Sequence, residues 1–189
     1  MTALDPNNVA GLAGDAFLCP VYLLDRLGPV TRRPFVRMLL RMTTSKSGFD
    51  LTRLPEARIV ALAEALSPEE RRVILHQGTE PPGCGVFLDN KKSGTYTCRL
   101  CGLPLFKSNA KFESGTGWPS FFQPFDPEHV ANITDRSHFM TRVEIVCARC
   151  HGHLGHVFDD GPPPTHQRYC LNSASLAFVD EGQPLALRS

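Results

Sequence analysis

The chain has almost no excess charge of either sign: 20 Lys+Arg stand against 19 Asp+Glu in 189 residues, a formal net of +1. A nucleic-acid binder normally carries a basic surplus to neutralise phosphates, so that class is disfavoured and no nucleic-acid partner is expected. Long hydrophobic runs are missing as well. Charges or prolines interrupt every apolar stretch before it reaches the roughly 18 residues a membrane span requires, so no membrane partner is expected either. The start, Met1-Thr2-Ala3-Leu4-Asp5, has no basic segment ahead of an apolar block, and no secretory signal is visible. Tryptophan occurs once. What is not scarce is apolar material: 42% of the residues, including 12 Phe, are enough to bury a core, which excludes disorder throughout.

Cysteine is the informative residue. An even set would suggest the disulfide framework of a small secreted domain, but there are seven, four of them in two Cys-x-x-Cys pairs. That distribution points to metal and thiol chemistry in a reducing, cytoplasmic setting. Charge is uneven too. Residues 1–49 hold Arg26, Arg32, Arg33, Arg37, Arg41 and Lys46 against Asp5, Asp15 and Asp25. This stretch is expected to be a flexible extension arm, with Met42 an alternative start; its early aspartates argue against a targeting peptide.

Residues 50–182 are expected to form the main domain, followed by a tail over 183–189. Helical signals run over about 55–77. Pro55 suits a first helical position, and Ile59, Val60, Leu62, Ala63 and Leu66 recur at helical spacing. Ser67-Pro68-Glu69-Glu70 reads as a capping box that restarts a helix, which should stop at Gly78. From about 78 to 180 the texture turns to strands. Residues 95–98, 141–146 and 168–178 are β-branched and aromatic runs separated by Gly, Pro and Asn clusters, which predicts a mainly antiparallel β core.

Cys98-Arg99-Leu100-Cys101 and Cys147-Ala148-Arg149-Cys150 are separated by 45 residues. Two thiolates at this spacing chelate one ion from a tight turn, and two such turns give a closed tetrahedral four-sulfur site, the geometry of structural Zn²⁺. One zinc ion held by Cys98, Cys101, Cys147 and Cys150 is the expectation. A redox dithiol is the competing reading, without the βαβ context it needs, and iron has the same spacing requirements. Between the knuckles lies Glu113-Ser114-Gly115-Thr116-Gly117-Trp118-Pro119-Ser120, which places the single Trp in a glycine-shaped loop.

Cys19, Cys84 and Cys170 remain. In an extended strand Arg168, Cys170 and Asn172 share one face, where a guanidinium favours the thiolate and an amide can fix a bound group. His153, His156 and Asp160 supply imidazoles and a carboxylate able to move protons.

With these motifs in place, the chain closely resembles the methionine sulfoxide reductase B family from about Gly78 to Phe178. The likeness runs through Gly78-Thr79-Glu80-Pro81-Pro82, Leu88-Asp89-Asn90-Lys91, Ser114-Gly115-Thr116-Gly117-Trp118-Pro119-Ser120-Phe121, His153-Leu154-Gly155-His156-Val157-Phe158-Asp159-Asp160 and Arg168-Tyr169-Cys170-Leu171-Asn172-Ser173. The resemblance implies two antiparallel sheets, with the zinc site on the side away from catalysis. It implies reduction of the R epimer of methionine sulfoxide, mainly protein-bound, as a repair of oxidative damage. Cys170 would be the nucleophile, and His153 and His156 would handle protons. Asp160 would orient an imidazole, Arg168 would favour the thiolate, and Asn172 would support the polar side. Trp118 would form the wall for the substrate methyl. One common family pattern places a cysteine where this chain has Thr116. The resemblance therefore implies Cys84 as the resolving thiol, forming a Cys84–Cys170 disulfide that thioredoxin reduces; direct attack of an external thiol on the sulfenic acid is the alternative. The expected partners are oxidised protein or peptide and thioredoxin, with the chain working as a monomer. A zinc-clamped β binding module is the rival reading, but it has no need of Cys170 between Arg168 and Asn172.

Overall fold

The computed structural model describes residues 43–136 and 141–188. Cys19 and most of the expected arm lie outside the described residues. Helix α1 spans Glu56–Ala63, with Pro55 standing one position earlier than expected, at the cap rather than in the first turn. It buries Ile59 and Ala63. Helix α2, Pro68–His76, starts from the expected capping box: Glu70 N–H donates to Ser67 Oγ at 3.2 Å, and Ser67 N–H donates to Glu70 Oε2 at 2.7 Å. The left-handed residue that ends it is Gln77 (φ 54°), one position ahead of the expected glycine, and Gly78 N–H then donates to Arg72 O. No helix among the described residues is long and apolar enough to cross a membrane.

Among the described residues, nine strands form two antiparallel sheets: β1 Gly94–Cys98, β2 Pro104–Lys107, β3 Lys111–Phe112, β4 Ser120–Phe121, β5 Val130–Asp135, β6 Arg142–Cys147, β7 His153–Phe158, β8 Arg168–Leu171 and β9 Leu176–Asp180. The smaller sheet has the order β2-β1-β9 and the larger β3-β4-β8-β7-β6-β5. Aromatic rings join the sheets. Tyr96 and Phe106 from the smaller sheet meet Phe121 of the larger at centroid distances of 4.9 and 4.7 Å, and Phe106 also packs on Tyr169 at 5.5 Å. Side chains alternate along a strand, so Tyr169 facing this core sends Arg168 and Cys170 to the opposite face.

The run 168–178, which reads as one strand, is two. It leaves the larger sheet after Leu171, makes a 3₁₀ turn over Ser173–Ser175 and enters the smaller sheet as β9. Competing hydrogen bonds break it. Ser173 and Ala174 N–H donate to the buried Glu80 carboxylate at 2.6 and 3.0 Å, and Ser175 Oγ donates to His153 O at 2.7 Å.

Both ends of the described chain are tied to the domain. Ser47 N–H and Oγ donate to Asp126 Oδ2 at 3.0 and 2.7 Å, and the fully buried His129 lies 2.9 Å from Ser45 Oγ through Nε2. Phe49 meets the Phe125 and His129 rings edge-on. At the other end Arg188 N–H donates to Cys101 O at 2.8 Å, laying the tail over the first knuckle. A side chain at Gly102 would strike Ala186 O at 2.4 Å, so the close approach of the tail requires glycine there.

Candidate active site and metal centre

Each Cys-x-x-Cys pair forms the turn of a hairpin, the first between β1 and β2 and the second between β6 and β7. The four buried sulfurs lie within 4.8 Å of one another, with Cys98–Cys150 at 3.6 Å and Cys101–Cys147 at 3.5 Å, and none is in a disulfide. A tetrahedral ion with metal–sulfur bonds of about 2.3 Å has edges of roughly 3.8 Å, so the donor set and its size fit a closed four-cysteine metal site. Hydrogen bonds from Cys101 and the other two sulfurs, together with burial, push the Cys98 thiol well up, while the same contacts hold Cys101 well down. Four thiolates crowded together out of water repel one another and need a cation to offset their charge.

Cys170 stands on the larger sheet in a cross-strand row. Its direct partners are Ser120 on β4 and His156 on β7, and His156 in turn is opposite Glu144 on β6. Directly paired residues project to the same face, which lines up hydroxyl, thiol, imidazole and carboxylate. Thr116 Oγ1 approaches Cys170 Sγ at 3.8 Å. Burial pushes the Cys170 thiol up, against weaker downward pulls from Thr116, Arg168 and Ser120. Arg168, Thr116 and Ser120 thus offset only part of the effect of burial on this thiol.

Asp160 does not reach an imidazole. Its carboxylate takes a fork from Arg168, Nε–Oδ1 2.8 Å and Nη2–Oδ2 2.9 Å, and this bidentate pair fixes the guanidinium beside Cys170, with its carbon 4.3 Å above the Phe158 ring. The carboxylates on the imidazoles are two that sequence reasoning missed. Glu144 Oε1 lies 2.7 Å from His153 Nδ1, and Asp135 Oδ2 lies 2.9 Å from His156 Nε2. A bulge in the β6–β7 pairing brings His153 and His156 together, ring centroids 5.6 Å apart. Burial pushes His156 down, partly offset by its hydrogen bond to Asp135. Glu144 did leave a signal, a lone acid inside the β-branched run Val143-Glu144-Ile145-Val146. Asp135 left none, because its pairing with His156 spans 21 residues.

Asn172 comes one residue after β8 ends. It is buried beyond the strand end, its Oδ1 accepting from Glu80 N at 3.0 Å and its Nδ2 donating to Leu154 O at 3.3 Å. Glu80 carries this link further, since its carbonyl accepts from Trp118 Nε1 at 3.0 Å. Asn172 thus places the tryptophan loop through one intervening residue. Cys84 is exposed in the loop after Glu80. That loop is pinned on one side by Gly83 N–H donating to Gly117 O at 2.8 Å, and on the other by Gly85, where a Cβ would meet Ser173 Oγ at 2.3 Å. Cys84 is thereby held between the Thr116–Trp118 loop and the segment that follows Cys170.

The SelR domain family matches residues 66–180. A protein of Xylella fastidiosa (strain M23) named peptide methionine sulfoxide reductase MsrB is 60% identical over 134 residues, 71% of this chain and 86% of the relative. A protein of the same name from Caulobacter vibrioides (strain NA1000 / CB15N) is 58% identical over 143 residues, 76% of this chain and 90% of the relative. A third from Methanosarcina mazei is 54% identical over 116 residues, 61% of this chain and 83% of the relative. With its two antiparallel sheets, buried four-cysteine cluster and this level of identity, the chain belongs to the MsrB family of SelR-domain proteins.

Proposed function

We propose that the protein is a peptide methionine (R)-S-oxide reductase that uses Cys170 as its nucleophile. The observation that carries this reading is the recessed thiol beside Ser120 and Thr116, in register with a carboxylate-held imidazole and flanked by a fixed guanidinium. On substrate binding Cys170 passes its proton to the imidazole of His156, its cross-strand partner, with the neighbouring Arg168 favouring the anion. The thiolate attacks the sulfoxide sulfur, and His153 and His156 manage the protons taken up by the departing oxygen. Oxygen passes to Cys170 as the sulfenic acid while methionine leaves. Trp118, steadied by its hydrogen bond to Glu80, is the apolar wall for the substrate methyl.

Cys84 then attacks the Cys170 sulfenic sulfur, water departs, and a Cys84–Cys170 disulfide forms. Its exposed position, between the Thr116–Trp118 loop and the segment after Cys170, suits Cys84 to this attack. Thioredoxin returns both residues to thiols by exchange. The ion held by Cys98, Cys101, Cys147 and Cys150 is zinc, which when bound supplies a structural cross-link between the two hairpins and no reaction step. A direct test incubates the reduced protein with a peptide carrying R or S methionine sulfoxide. Methionine should appear from the R epimer alone, together with the loss of two free thiols. Equal conversion of both epimers, or none, would reject the reading.

A further inference from the structure

We infer that Thr116 is a catalytic residue, the hydrogen-bond donor to the Cys170 sulfur once that sulfur is an anion, and that a chain of three hydroxyls turns round to supply it; this rests on the reductase reading above. The chain starts at the sulfur. Thr116 Oγ1 lies 3.8 Å from Cys170 Sγ and 2.8 Å from Ser114 Oγ, and Ser114 Oγ lies 2.7 Å from Ser120 Oγ. Ser120 Oγ ends it by donating to the Trp118 carbonyl at 3.2 Å. Ser120 is also the direct cross-strand partner of Cys170 and is 1% exposed, so the inner end of the chain is out of solvent.

Counting hydrogens fixes the direction. Each hydroxyl has one hydrogen to give, whereas a carbonyl only accepts. With the Ser120 hydrogen on the Trp118 carbonyl, Ser114 donates to Ser120 and Thr116 donates to Ser114, so Thr116 Oγ1 accepts the Cys170 S–H. A thiolate has no hydrogen to offer. When Cys170 gives its proton to His156, the sulfur and Thr116 Oγ1 become two acceptors facing each other. Rotation of the Thr116 O–H toward sulfur, with Ser114 turning to Thr116 and Ser120 to Ser114, removes that repulsion and stabilises the anion. The other groups around Cys170 are charged or titratable: Arg168 on its own strand, held by Asp160, and His156 on β7, held by Asp135, with Glu144 beyond it on β6. Residues 114–121 carry no charge and bring only hydroxyls to the sulfur. Of the pulls that oppose burial at Cys170, the one from Thr116 is the largest.

The test follows alkylation of Cys170 by iodoacetamide against pH in the Cys84→Ser background, with the modified peptide identified by mass, and needs no turnover. Thr116→Val keeps the shape of the side chain without its hydroxyl, and Thr116→Ser keeps the hydroxyl. In Thr116→Val the midpoint should rise by about 1–2 units, the size of a lost hydrogen bond to an anion. Thr116→Ser should bring it back to within about 0.3 unit of the unsubstituted background. The single-turnover release of methionine from an R sulfoxide peptide at saturation should fall about tenfold in Thr116→Val, with little change in the half-saturating concentration. Protection of the buried knuckle cysteines from alkylation reports that the variant is folded; if valine disturbs the loop, Thr116→Ala lacks the same hydroxyl and should show the same rise. A midpoint that stays within about 0.3 unit in a folded variant without the hydroxyl overturns the proposal, even where turnover is slower. Wild-type protein that releases no methionine from the R epimer would sink the reductase reading and this role with it, whereas release together with an unmoved midpoint removes Thr116 alone.

Discussion

Replacing Glu80 with Gln should weaken a stabilising contact and the support of the site together. The Glu80 carboxylate is 7% exposed and accepts Ser173 N–H at 2.6 Å on one oxygen and Ala174 N–H at 3.0 Å on the other. Gln offers one acceptor oxygen, so one of these buried N–H groups would face an NH₂ instead. A hydrogen bond to a charged group is worth about 1.5–3 kcal/mol, and an orphaned buried donor costs a similar amount. The expected loss is about 2–3 kcal/mol, or roughly 6–9 °C at about 3 °C per kcal/mol for a domain of this size. Glu80 also holds Asn172 through its N–H and Trp118 through its carbonyl, so the damage should spread to the site. Trp118 is the only tryptophan, which makes intrinsic fluorescence a clean report on that loop. Thermal unfolding, the emission maximum and kcat/KM should all change in Glu80→Gln. A midpoint within about 1.5 °C of wild type, equivalent to the roughly 0.5 kcal/mol of an ordinary surface change, would refute this accounting.

Three further outcomes follow from the geometry. Cys84→Ser should still release one equivalent of methionine per protein but should slow thioredoxin-driven turnover; unchanged steady-state activity with thioredoxin would reject Cys84 as resolver. Arg168→Ala removes a positive charge that pulls the Cys170 thiol down against burial, so the pH midpoint of Cys170 alkylation should rise; a midpoint that stays or falls would contradict the assigned pull. Chelation of the metal, or Cys98→Ala, should unfold the domain, because the four cysteines are buried where the hairpin tips, the helices and the tail meet. A stable, metal-free Cys98→Ala protein with normal activity would remove the structural role from the cluster.

The parts of this molecule that are local in sequence were legible there. The capping box of α2 lies within four residues, and each Cys-x-x-Cys knuckle is a single turn, so spacing alone carried their meaning. The strand break after Leu171 was not legible, because its cause is Glu80, more than ninety residues away. The same holds for the imidazoles. His153 and His156 were visible as residue types, but their carboxylates come from β6 and β5 through strand register, and the nearby Asp160 turns to Arg168 instead. The hydrogen-bond partners of Asn172 were equally out of reach. They are the Glu80 N–H, far upstream, and the Leu154 carbonyl on β7, neither of which spacing along β8 can reveal.

The central claim is that the Cys170 sulfur takes the sulfoxide oxygen. Its most direct test is release of methionine from an R methionine sulfoxide peptide by wild type and Cys170→Ser in the presence of excess thiol reductant, with the sulfenic acid on wild type trapped by dimedone in the Cys84→Ser background. The account predicts no methionine from Cys170→Ser, and one dimedone adduct on Cys170 per methionine released. Methionine release by Cys170→Ser at a rate near that of wild type would contradict it.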